Sequence, residues 1–109
     1  DAWNGWGLAD DVFAERARVA TAGGAAATWG GIVAVADSDA ACADLLERRR
    51  AAGLPEPHWS GTADAFLAWS DRLSALGTTW IVAVLAGGDV ALETFATRIL
   101  PRGRGDAGA

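Results

Sequence analysis

The sequence contains no methionine, a single cysteine and a single histidine. Each scarcity closes off a class of function. Cys42 has no partner in the chain, so no internal disulfide can form, which fits a reducing compartment and sets the expectation of a cytoplasmic protein. With His58 alone, no two-histidine metal site can be built within the chain. A basic stripe is also missing. The formal net charge is −5, and the one basic run, Arg48 to Arg50, reads as the solvated last turn of a helix, favoured there by the macrodipole. Nucleic-acid binders draw much of their affinity from phosphate neutralisation, so a nucleic-acid partner is not expected. No apolar run approaches the ~18–20 residues of a membrane span, and no secretory signal is visible. The chain opens at Asp1 without a methionine, as expected of a processed chain or a piece of a longer one.

What is present is apolar and regular. About half of the 109 residues are hydrophobic, enough for one small domain or part of a larger one. Thr28 to Ala36 (TWGGIVAVA) and Thr78 to Ala86 (TTWIVAVLA) are continuous apolar runs, as in parallel strands covered on both faces. Asp1 to Asn4 resembles the end of a further strand, and His58 to Ser60 a short one. Helical segments lie between them. The first spans Asp10 to Ala20, with Val12, Phe13, Ala17 and Ala20 on one stripe. The second starts at the N-cap Ser38 and buries Ala41, Cys42, Leu45 and Leu46. The third is capped by Thr62 and carries Phe66, Trp69, Leu73 and Leu76 at helical spacing. The fourth spans Asp89 to Leu100, with Val90, Leu92, Phe95, Ala96 and Ile99 apolar, and stops at Pro101. Residues 102–109 read as a disordered Gly- and Arg-rich tail. The alternation of strands and helices predicts an α/β fold with a parallel sheet. No G-x-G-x-x-G turn supports a dinucleotide-binding open sheet. Four βα units over residues 1–101 have the size of half a (β/α)8 barrel, which needs about 250 residues in full.

Several stretches carry a resemblance. The opening DAWNGWGLADDVFAERA is similar to the "ADgWn" strand end of luciferase-like monooxygenases and the acidic helix start that follows it. TWGGIVAVADSDAACADLLERR is similar to the next strand and helix of that family, with VADSDA at the turn. WSGTADAFLAWSDRLSALGTTWIVAV resembles the "GTpeev…l..l.eaGat…v" unit, and the final ILP the closing "vlP". The resemblance covers nearly all of the chain except the tail. It implies the C-terminal half of a TIM barrel in a flavin- or deazaflavin-dependent oxidoreductase or monooxygenase, with FMN or coenzyme F-420 held at the C-terminal face. The missing N-terminal half of the barrel would be the first partner and a small molecule the substrate. The family's Ser-Gly phosphate segment lies upstream of "ADgW", outside this chain. The sulfonate-cleaving branch has basic and imidazole side chains in the strand that resembles Thr28–Ala36. Here Gly30, Gly31 and Ile32 stand nearby, which favours a small or apolar substrate.

On this reading Trp3, Asn4 and Trp6 follow a strand end, where indoles could wall a flat cofactor and the amide could hydrogen-bond it. Trp29, Gly30 and Gly31 are the candidate substrate pocket, since paired glycines admit a ligand or another backbone. The bland alternatives are loop filling for the first group and close packing for the second. Ser60, Gly61, Thr62, Gly87 and Gly88 read first as capping and turn residues. His58 reads as the cover of a strand start, Cys42 as packing, and Trp69 and Trp80 as core. The competing function is a non-catalytic half-barrel that dimerises or binds another protein, since a half-barrel exposes strand edges and an apolar face.

Overall fold

The computed structural model describes residues 2–100, with the side chains of 89–91 left aside. The elements in chain order are β1 (Ala2–Trp6), α1 (Asp10–Ala22), β2 (Ala26–Ala36), α2 (Asp39–Ala51), β3 (Trp59–Thr62), α3 (Ala63–Ala75), β4 (Thr78–Ala86), α4 (Gly88–Thr94) and a π-helical turn, Phe95–Ile99. Strand and helix alternate, and every strand pair is parallel. The α/β expectation therefore holds. The expected tail, residues 102–109, and the stop at Pro101 lie outside the described residues.

Helix starts follow the capping logic of the sequence. Ser38 Oγ accepts from the Ala41 N–H at 3.1 Å and Thr62 Oγ1 from the Ala65 N–H at 3.2 Å, each satisfying a donor that the first turn leaves free. α1 starts without a side-chain cap. Its Asp10 Oδ1 instead accepts from Trp69 Nε1 at 2.8 Å, which ties the start of α1 to α3.

β2 is the spine of the sheet. Its eleven residues pair on one edge with β1, at Ala26 to Gly30, and further along with β3, at Val33 to Ala36. β1 and β3 thus lie end to end in one row. The other edge of β2 pairs with β4 from Ala27 to Ala34. Consecutive barrel units would place β4 beside β3. The difference has a physical source: β3 has four residues, whereas β2 offers the nine residues of β4 a longer ladder.

Strand pleating sorts the side chains. On one face of β2, Ala27, Trp29, Val33 and Val35 are buried against Phe13 and Ala17 of α1, Phe66, Trp69 and Leu73 of α3, and Ile99. Each large side chain buried there contributes on the order of 1.5–3 kcal/mol. The opposite face carries no helix layer along β4, in keeping with extents of 42 × 38 × 19 Å, although Ala34 and Ala36 of β2 on that side are buried. This corrects the expectation that both faces are covered. Trp80, expected in the core, is 71% exposed, with Val82 and Val84 exposed beside it on β4. They share the uncovered face, because Thr28 pairs with Trp80, Gly30 with Val82 and Ile32 with Val84. Five helix residues also fall outside their expected stripes. Leu76 lies just past the last turn of α3, while Val12, Ala41, Leu92 and Ala96 turn to solvent. Trp69 and Cys42 are buried as expected.

Candidate functional site

β1 runs two residues past the expected strand end at Asn4, so Trp6 joins Trp3 and Asn4 as a strand residue. The pleat then divides them. Trp3 packs on Phe13 with ring centroids 5.5 Å apart, on the helix side. Asn4 and Trp6 sit on the uncovered face, opposite Thr28 and Gly30. The Trp6 indole leans over Gly30: a Cβ at residue 30 would stand 2.8 Å from Trp6 Cε3 and 3.2 Å from Asn4 Oδ1. The Thr28 hydroxyl lies 2.9 Å from Asn4 Oδ1 and 3.1 Å from the Trp3 carbonyl, holding the amide against the sheet. Trp6 remains half exposed.

The second candidate group is divided the same way. Trp29 is 1% exposed. Its ring meets Trp69 edge to face at 4.7 Å, and Nε1 donates to the Leu8 carbonyl at 3.0 Å. It is a core residue and is withdrawn from the pocket. Gly31 supplies clearance for that ring, since a Cβ there would come within 2.6 Å of Trp29 Cη2. Only Gly30 of this group lies under an accessible side chain. The structure thus gathers Asn4, Trp6 and Gly30 and sets Trp3, Trp29 and Gly31 in the packing beneath the sheet.

His58 fills the break between β1 and β3. Gly7 N–H donates to Gly30 O and His58 N–H to Ile32 O, and the Ile32 N–H finds its acceptor in His58 Nδ1 at 2.9 Å. The imidazole takes the place of a backbone carbonyl in the ladder, so the neutral ring carries its proton on Nε2. It meets Trp6 edge to face at 5.7 Å. Sequence reasoning placed His58 at a strand start but missed this plug. No sequence signal marks it, because it depends on two distant strands meeting end to end.

The clefts lie in the helix layer. One of about 380 Å³ opens between α2 and α4, lined by Val35, Asp37, Leu45, Arg49, Leu54 and Thr94 among others. Another, of about 360 Å³, lies between α3 and β4. Neither contains Asn4, Trp6 or Gly30. Burial pushes the Cys42 thiol above its ordinary value, with Asp39 adding to the effect and the Gly61 backbone opposing it. The Arg50 guanidinium holds the Glu56 carboxyl below its ordinary value across an exposed pair. Among the described residues, no cluster of His, Cys, Asp and Glu could hold a metal ion. No helix among them is long and apolar enough to cross a membrane. No protein-family model matches the chain, and no curated protein or solved structure does either.

Proposed function

We propose that the uncovered sheet face forms one wall of a pocket for a flat heteroaromatic cofactor, a reduced flavin or deazaflavin F-420, in an oxidoreductase of the luciferase-like kind. One observation carries this: the half-exposed Trp6 indole lies over Gly30 beside the fixed Asn4 amide, on a face that no helix covers. A tricyclic ring needs an apolar surface to stack on and a few polar groups at its rim. Trp6 would supply the surface and exclude water. Asn4, with Oδ1 engaged by Thr28, would turn its amide N–H groups toward ring carbonyls. When bound, the cofactor supplies the hydride-transfer or oxygen chemistry.

These residues suit the ring and not the phosphate. No positively charged side chain stands on the strands of this face, so the phosphate contacts would come from elsewhere in the protein. In this reading the sheet is the C-terminal part of a (β/α)8 barrel, and further strands join its open edges. β4 would then leave β2 and move beside β3. The fold is compatible with many chemistries, so the weight rests on the Trp6–Gly30–Asn4 arrangement.

The test is a titration of the full-length protein with FMN and with F-420, followed by fluorescence quenching. Micromolar binding that Trp6→Ala and Gly30→Val weaken supports the reading and selects the cofactor. A folded protein that binds neither overturns it.

A further inference from the structure

We propose that the cleft between α2 and α4 binds a small monocarboxylate with an aliphatic body, its head group held by Arg49. The site does not rest on the cofactor reading, because it shares no residue with the Asn4, Trp6 and Gly30 wall.

Its position is that of a ligand site. Asp37 follows the last residue of β2 and Gly87 the last residue of β4, and both line the cleft. In open α/β sheets, ligands bind in the crevice beyond the carboxyl ends of the strands. The volume, about 380 Å³, suits a small molecule. A π-helical turn, a form frequent at functional sites, starts directly after the lining residue Thr94. All lining residues except Gly87 and Thr94 fall within 35–54. The end of β2, α2 and the loop after it therefore build most of the site.

The lining chooses the ligand. Val35, Ala41, Leu45 and Leu54 offer aliphatic walls, and no aromatic residue lines the cleft. They suit a saturated carbon body. The charged lining residues are Asp37, Arg48 and Arg49. Asp37 is matched by Arg98 at 3.1 Å and Arg48 by Asp44 at 2.9 Å. Arg50, the third member of the basic run, is matched by Glu56. Arg49 alone of that run has no carboxylate at ion-pair distance among the described residues. Its Nη2 donates to the Pro55 carbonyl at 3.1 Å, while its Nε is buried without an acceptor among them. A buried N–H left unpaired is costly, and more so on a cation. A carboxylate matches the planar guanidinium and completes it. Inorganic phosphate also matches the charge, but it brings nothing to the aliphatic walls.

The test is a titration of the isotope-labelled 109-residue chain with sodium hexanoate at fixed ionic strength and without cofactor. Proton–nitrogen correlation spectra follow the backbone and the arginine Nε–H signals. Hexanol, which lacks the charge, and inorganic phosphate, which lacks the carbon body, are titrated separately. The expected result is saturable hexanoate binding with a Kd of about 1 mM. The largest shifts should fall in residues 35–54 and on the Arg49 Nε–H. Arg49→Gln should weaken binding about tenfold or more, whereas Arg72→Gln, which removes a charge from α3, should change it less than about twofold. Four outcomes overturn the proposal: shifts that never saturate, saturable shifts centred outside 35–54, hexanol or phosphate binding as tightly as hexanoate, or a folded Arg49→Gln variant that binds like the wild type. Should that variant fail to fold, the wild-type shift map and the two control ligands decide.

Discussion

Replacing Trp29 with alanine separates a core residue from a pocket residue. The side chain is 1% exposed, so almost all of its ~150–250 Å² is removed from water on folding. At about 25 cal/mol/Å² that burial is worth roughly 4–6 kcal/mol as an upper bound. The edge-to-face contact with Trp69 adds about 0.5–1.5 kcal/mol. Measured losses for large aromatic-to-alanine changes cluster at about 3–5 kcal/mol, and that is the expected loss here. It is a large share of the ~5–15 kcal/mol that holds an ordinary domain together. Trp29→Phe keeps a ring and drops the hydrogen bond to Leu8 O, so it should cost about 1–2 kcal/mol. The assay is urea unfolding followed by far-UV circular dichroism, because five other tryptophans obscure the fluorescence. An alanine variant within about 1 kcal/mol of wild type would refute the reasoning. It would return Trp29 to the face where the sequence alone had placed it, as a ligand-contacting side chain.

His58→Ala strips the Ile32 N–H of its acceptor and should cost about 1–3 kcal/mol, whereas His58→Asn can keep an acceptor near that position; urea midpoints of the two variants compare them directly. Ser38→Ala and Thr62→Ala should each lose about 1 kcal/mol as N-caps, read from thermal unfolding. Trp80→Ser should change monomer stability by no more than about 0.5 kcal/mol, as befits an exposed side chain; a loss of several kcal/mol would mean that the β4 face is covered within the monomer. For Cys42, burial raises the thiol above its ordinary value of 9.0. The neutral thiol is thus the favoured form in the folded chain. Its contribution to stability is present in full below about pH 9 and is lost as pH climbs through the raised value. Alkylation by iodoacetamide at pH 8 should accordingly be slow in the folded chain and fast in urea.

The elements were legible because local rules govern them. Ser38 and Thr62 announce helix starts by their hydroxyls, and the Phe66–Trp69–Leu73 spacing fixes the buried face of α3 whatever it packs against. The faces of the strands were not legible, and Trp80 shows why. In a run such as TTWIVAVLA every residue after the two threonines is apolar, so no alternation reveals that one face lacks a cover. The outcome turns on whether a second layer exists, which is a property of the whole assembly and not of nine residues. The candidate site failed in the same place. Trp3, Asn4 and Trp6 lie close together in sequence and read as one group at a strand end. Two more residues of β1 put them on a pleat, which sends Trp3 into the packing and leaves Asn4 and Trp6 above it. Trp29, Gly30 and Gly31 divide by the same rule. His58 was legible as a strand start, but its role follows from β1 and β3 sharing one edge of β2, a consequence of β2 being long and β3 short. Lengths and registers set across the sheet, more than residue types, thus decide which side chains face the open side.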